Sequence, residues 1–179
     1  MTTYGIDAHL LLRKERTGVP RYAGLLLQHM MAMPLLSEEA VVLYGHGPQP
    51  TDLMLPDGWR WKILHWPIPR GWTHGRLSWE MLVHPPDVLF VPGHEVPAGV
   101  QKRTRVVTTI HDVAFRTVPD VYDASSRRRQ EMAVQQAIRR AAIILTPSEA
   151  TKQDAMNILE IEEKKLKVIY PGVQSKISS

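Results

Sequence analysis

The chain has no cysteine, only two phenylalanines and no internal repeat in its 179 residues. The first absence excludes a disulfide framework and any thiolate chemistry, and is compatible with a reducing compartment. No apolar run approaches the roughly 18 to 20 residues a membrane-spanning helix needs. The longest candidate, "LLLQHMMAMPLL", is interrupted by Gln28, His29 and Pro34 and reads as a buried helix and its exit. The opening "MTTYGIDAHLLLRKER" carries its positive charges after its apolar residues and shows no small-residue cleavage site, so it is unlike a signal peptide. Charge of one sign is also scarce. Lys and Arg number 22 against 18 Asp and Glu, a formal +4, and outside Arg127, Arg128 and Arg129 the basic residues are dispersed, so nucleic acid is not an expected partner. Also missing are G-x-G-x-x-G, the phosphate-loop G-x-x-x-x-G-K-[ST], H-E-x-x-H and G-x-S-x-G.

What is present is a core. With 44% hydrophobic residues the chain can bury a sizeable interior in one domain. Short apolar runs recur as "TYGIDA", "AVVLYG", "WKILHWP", "DVLFVP", "RVVTTIHD", "AIILTPS" and "LKVIYPG". Several are apolar on both faces, the pattern of parallel strands covered on both sides. Helical stripes lie between them. Tyr22, Leu25, Leu26, His29, Met30 and Met33 form one, Val134, Ile138 and Ala141 a second, and Thr151, Ala155, Ile158 and Leu159 a third, with Ser148 placed to cap it. The segment from Gly45 to Asp57 reads as a loop. Strands alternating with helices predict an α/β, Rossmann-like, doubly wound and mostly parallel sheet.

In such sheets ligands bind beyond the carboxyl ends of the strands, so candidate residues follow each run. Thr17, Gly18, Val19, Pro20 and Arg21 read either as turn chemistry or as an anion-facing lip at a helix N-terminus, with Pro20 removing one backbone donor. His111 and Asp112 offer a hydrogen-bonding or acid/base imidazole, or a histidine capping the sheet edge. His94 and Glu95, between Pro92, Gly93 and Pro97, read as a substrate-facing loop or a plain turn. Ser148 lacks a nucleophile elbow and reads as a helix cap. No metal-ligand spacing is present, and no metal is expected. Trp59, Trp61, Trp66, Trp72 and Trp79 form an aromatic platform for a sugar or lipid acceptor, or pack an irregular core segment. Arg127 to Arg129, with Arg139 and Arg140, read as a solvated helix face or as a contact for anionic lipid.

Taken in order, "GIDAHLL", "TGVPRYAGLLL", "WEMLVHPPDVLFVPGHEVP", "VVTTIHDVAFRTVPDVY", "AIRRAAIILTPSEATKQDAM" and "LKVIYPGV" resemble the N-terminal domain of a family 4 retaining glycosyltransferase of GT-B fold, from about Gly5 to Val173. The resemblance implies a two-lobed enzyme that moves a sugar from a nucleotide-diphosphate donor to an acceptor hydroxyl with retention at the anomeric carbon. The N-terminal lobe would hold a glycan or lipid-linked acceptor. By the same resemblance, Thr17, Gly18, Val19 and Arg21 face the donor diphosphate, with Pro20 where relatives carry glycine. His111 and Asp112 stand at the catalytic "HD" position, and Tyr22, His94, Glu95, Ser148 and Glu149 lie on the acceptor side. No cofactor beyond the donor substrate is implied.

These readings predict one Rossmann-like domain over 1–173, a polar tail over 174–179, and a donor-binding C-terminal lobe absent from these residues, with its basic groups and E-x7-E pattern. The 179 residues alone are expected to transfer no sugar. The expected setting is the cytoplasm or the inner face of the membrane, with weak peripheral membrane contact and self-association through the face a second lobe would cover. The rival expectation is a non-catalytic module that binds glycan, lipid or protein.

Overall fold

The computed structural model describes residues 1–13, 17–68 and 70–172. Val173 and the predicted tail over 174–179 lie outside the described residues. Seven strands form one sheet: β1 Thr2–Asp7, β2 Glu39–Gly45, β3 Trp59–Ile63, β4 Val88–Val91, β5 Arg105–Thr109, β6 Ala141–Thr146 and β7 Leu166–Val168. Their order is β3-β2-β1-β4-β5-β6-β7, and every pairing is parallel. The predicted Rossmann-like doubly wound sheet is therefore present, wholly rather than mostly parallel. Strand order reverses between β1 and β4, which makes that junction the crevice-forming point of the fold.

Alternation along the strands builds two cores. Val41, Leu43 and Phe90 face one side with Ile6, Leu11 and Leu27, under helix α1 (Val19–Met31). Val42, Tyr44, Leu89 and Val91 face the other, with Met81 of α2 (Ser78–Val83) packed among them. That second core also takes in Val134 and Ala137 of α4 (Ala124–Arg140) and Ala155 and Leu159 of α5 (Glu149–Leu159). A short helix α3 (Ala114–Thr117) follows β5. Each fully buried leucine or valine contributes about 1.5–3 kcal/mol relative to exposure.

The helix stripes hold with three differences, the first being that His29 is exposed. Met33 lies past the end of α1 and is exposed, because the helix closes at Ala32 ahead of Pro34. Ala141 is the first residue of β6, not the last of a helix: α4 runs directly into the strand, and burial at 141 serves the sheet. Caps follow chemistry. Ser148 Oγ accepts from the Thr151 amide at 3.1 Å, and Asp123 Oδ1 from the Ser126 amide at 2.9 Å.

One carboxylate is buried away from the strand ends. Glu80 on α2 accepts from Lys62 Nζ of β3 at 2.5 Å and from Arg76 at 3.1 Å. Burial alone would raise its pKa, but the two cations outweigh that and hold it low. The cluster ties α2 to the sheet and is structural.

Candidate functional site at the carboxyl edge

The switch point brings together residues far apart in sequence. Asp7 closes β1, and its side chain is only 2% exposed. Its Oδ1 accepts from the His9 amide at 3.2 Å and lies 2.6 Å from His9 Nδ1. The imidazole therefore carries its proton on Nδ1 toward the carboxylate and turns its remaining nitrogen away from Asp7. Burial works to lower the His9 pKa, but the Asp7 charge and hydrogen bond, with Glu95 adding to them, raise it overall. The ring lies against Trp72, with centroids 5.2 Å apart, and His46 meets the same indole at 6.1 Å. Burial and the charge of His9 both lower the His46 pKa. His9, His46 and Trp72 line a cleft of about 540 Å³ whose walls also include Arg13, Trp66 and Glu95.

The loop after β4 links this cleft to a second cluster. Glu95 faces the cleft, while Pro92 offers its carbonyl to His111 Nε2 at 2.7 Å. A carbonyl can only accept, so the proton sits on Nε2 and Nδ1 keeps its lone pair. Burial is the main cause lowering the His111 pKa, partly offset by that carbonyl, and the ring is neutral near pH 7. Tyr22 of α1 packs edge-on against it, centroids 4.8 Å apart at 88°. The Tyr22 hydroxyl and Thr109 Oγ1 are both buried, and neither makes a hydrogen bond of ordinary geometry among the described residues. Asp112 does not hold the His111 ring. Its Oδ1 accepts from the Ala114 amide at 2.9 Å and so caps the start of α3.

The other sequence candidates divide between these clusters and the rim. His94 Nε2 lies 2.5 Å from Gln130 Oε1, which fixes the loop to α4. Ser148 caps α5, Thr151 Oγ1 reaches the His111 carbonyl at 3.4 Å, and Glu149 is exposed in the first turn of α5. Gly18 is the N-cap residue of α1 with φ 56° and ψ −125°, and no side chain caps this end. Among the described residues a Cβ built there would meet nothing within 4 Å, so the positive φ is what requires glycine. Thr17 and Arg21 are exposed beside it, Val19 is half-buried, and Pro20 is buried at the second helical position, where its missing N–H breaks no intrahelical bond. Gly18→Ala is expected to lower stability by about 1–2 kcal/mol through backbone strain alone. Urea unfolding checks this, and a loss below a few tenths of a kcal/mol would mean that the turn relaxes.

The tryptophans form no common platform. Trp59 and Trp72 are buried, Trp79 is exposed on α2, and only Trp66 and Trp72 reach the cleft. Asp7, His9 and His46 are the site residues that sequence reasoning missed. Among the described residues no group of three or more His, Asp or Glu is placed to hold a metal ion, and no helix is long and apolar enough to cross a membrane.

Comparison with known proteins agrees with this architecture. Against curated proteins the chain gives no match. The sequence model of Glycosyltransferase Family 4 matches residues 17–176, which takes in Gly18, the switch-point loop, His111 and the Ser148 cap. With nine-tenths of its length matched and a seven-stranded parallel Rossmann-like sheet behind the site, the chain belongs to glycosyltransferase family 4, as its N-terminal domain.

Proposed function

We propose that this domain is the acceptor-binding half of a retaining glycosyltransferase that moves a sugar from a nucleotide-diphosphate donor to an acceptor hydroxyl. The observation that carries the reading is the open cleft at the switch point, with His9 oriented by a buried Asp7 and His111 oriented by the Pro92 carbonyl on either side of one loop. In the reaction the bond from the anomeric carbon to the donor phosphate breaks, the acceptor oxygen bonds to that carbon on the same face, and the acceptor proton leaves with the phosphate. The protein's part is placement and electrostatics. His111, neutral, positions hydroxyls. The Gly18 end of α1 presents its free amides to the diphosphate, where no side chain of the described residues stands in the way. The acceptor lies between Trp66, Trp72 and the imidazoles of His9 and His46, with Glu95 as a hydrogen-bond acceptor. Asp112 supports the loop rather than the chemistry. The reaction is assigned to the cytoplasm.

By the family resemblance, the basic groups that neutralise the diphosphate belong to a donor lobe, so the 179 residues by themselves are expected to transfer no sugar. A panel of uridine and guanosine diphosphate sugars, assayed with the domain alone and with a family donor lobe supplied, tests this. Transfer only in the combined sample, reduced about a hundredfold or more by His111→Ala, is the expected result. Unchanged transfer by His111→Ala would remove that residue from the site. The second reading, a non-catalytic binding module, rests on Pro20, which removes one amide from the α1 end. Absence of transfer in both samples, with the domain folded, would favour it.

A further inference from the structure

Beside the cleft, the entry to α4 carries a surface that sugar transfer does not use. Helix α4 follows β5 through a crossover, so its N-terminus lies on the carboxyl edge of the sheet. Gln130, which holds His94, is nearly two turns further along. Before α4 the chain makes a 3-10 turn, Pro119–Val121, on which Val118 and Val121 are 49% and 79% exposed. Val118 is the residue that caps the turn and Val121 the one that closes it. Across a shallow groove that also takes in Pro119, Arg127, Arg128 and Met132 line the α4 side. Met132 is 54% exposed and lies four positions after Arg128, which puts both on one helix face.

The charges here are not used internally. Among the described residues the Arg127 and Arg128 guanidinium groups have no partner. The neighbouring carboxylates do: Glu131 is held by Arg116, and Asp123 accepts from Ser125 and Ser126 to cap α4. That leaves exposed Asp120 against two free arginines. Solvent-facing valines and a methionine interleaved with free cations are unusual on a surface that meets only water. A nucleic acid would engage the arginines but offer the three apolar side chains nothing. An anionic bilayer satisfies both, with headgroups meeting the guanidinium groups and the acyl boundary receiving the side chains.

We infer that this surface docks the domain on an anionic membrane, with the valines and Met132 inserted. The inference does not depend on sugar transfer. It is tested by sedimenting the domain with vesicles of phosphatidylcholine alone or mixed with phosphatidylglycerol. Binding is expected only to the mixed vesicles and should weaken with added salt. The double variant Arg127→Gln, Arg128→Gln should weaken partitioning about thirtyfold, since each basic side chain near such a surface is worth about 1 kcal/mol. The double variant Val121→Ser, Met132→Ser keeps every charge and should still weaken it several-fold. All four positions are exposed or half-exposed, and circular dichroism checks that the variants fold. No sedimentation with the mixed vesicles overturns the inference. So does binding indifferent to either double variant, or binding that soluble polyphosphate competes away completely, which would mark a general polyanion site.

Discussion

Gly99→Ala is expected to be the most damaging methyl group that can be added to this domain. Gly99 sits in the loop after β4, where a Cβ would lie 2.0 Å from the Ser78 carbonyl oxygen and 2.7 Å from its carbon. Both are main-chain atoms at the start of α2, so no side chain can swing aside. The loop cannot retreat easily either. Val96 and Val100 are buried on either side of Gly99, and Arg140 Nη2 donates to the Val100 carbonyl at 2.6 Å. Overpacking of this kind costs about 3 kcal/mol, which for a domain of this size means a fall of about 6–12 °C in Tm. The same loop carries His94 and Glu95, so the His94–Gln130 contact should loosen in the variant. Calorimetry gives the first quantity. A loss under about 1 kcal/mol would show that the loop and α2 separate freely, contrary to the packing.

Asp7→Asn is the second large effect, and its signature is its dependence on pH. In the native protein the His9 pKa is raised above its ordinary 6.5, because Asp7 outweighs the burial that would lower it. A raised histidine stabilises the fold fully below its unfolded value, and that stabilisation is lost as pH rises through the folded value. With asparagine in place of the carboxylate, burial is left as the main influence and the His9 pKa falls below 6.5. The variant should then lose about 2 kcal/mol near pH 5.5, the scale of a hydrogen bond between charged groups, and clearly less near pH 8. Glu95, Arg13 and His46 also face the ring and stay in place in both proteins. Acid destabilisation through the lowered His111 is common to both and drops out of the difference, whereas His46 feels both Asp7 and the charge of His9 and shifts with them. Urea titrations at the two pH values, with the His9 ring proton followed by NMR, measure it. Equal losses at both would separate His9 from Asp7.

The sheet was legible because its strands are apolar on both faces, a pattern that survives without any knowledge of their neighbours. Strand order, and with it the switch point, emerged only in three dimensions. The edge to search was therefore readable from alternating elements, while the pairing across it was not. Asp7 and His9 show why. They lie two residues apart at the end of an apolar run, where the sequence reads as the last turns of a strand. Only the fold sets Trp72, from the segment between β3 and α2, and Glu95, from the loop after β4, against them. One signal existed: an acidic residue ending an otherwise apolar central strand needs a partner, and the next polar side chain is a histidine. The tryptophans misled in the opposite direction, since five indoles close in sequence suggest one surface, yet two of them fill the core. His111 was singled out by position. What holds it was hidden, because its partner is a main-chain carbonyl and leaves no trace in residue type.

That partner gives the His111 ring a polarity. With Nε2–H committed to Pro92, the ring has no hydrogen to offer, and Nδ1 is the one polar function left to it. A visitor at this position must come bearing its own hydrogen, so a hydroxyl is welcome and an ether or ketone oxygen is not. The discrimination is made by a proline that cannot exchange roles with the ring, and it costs the site no charge.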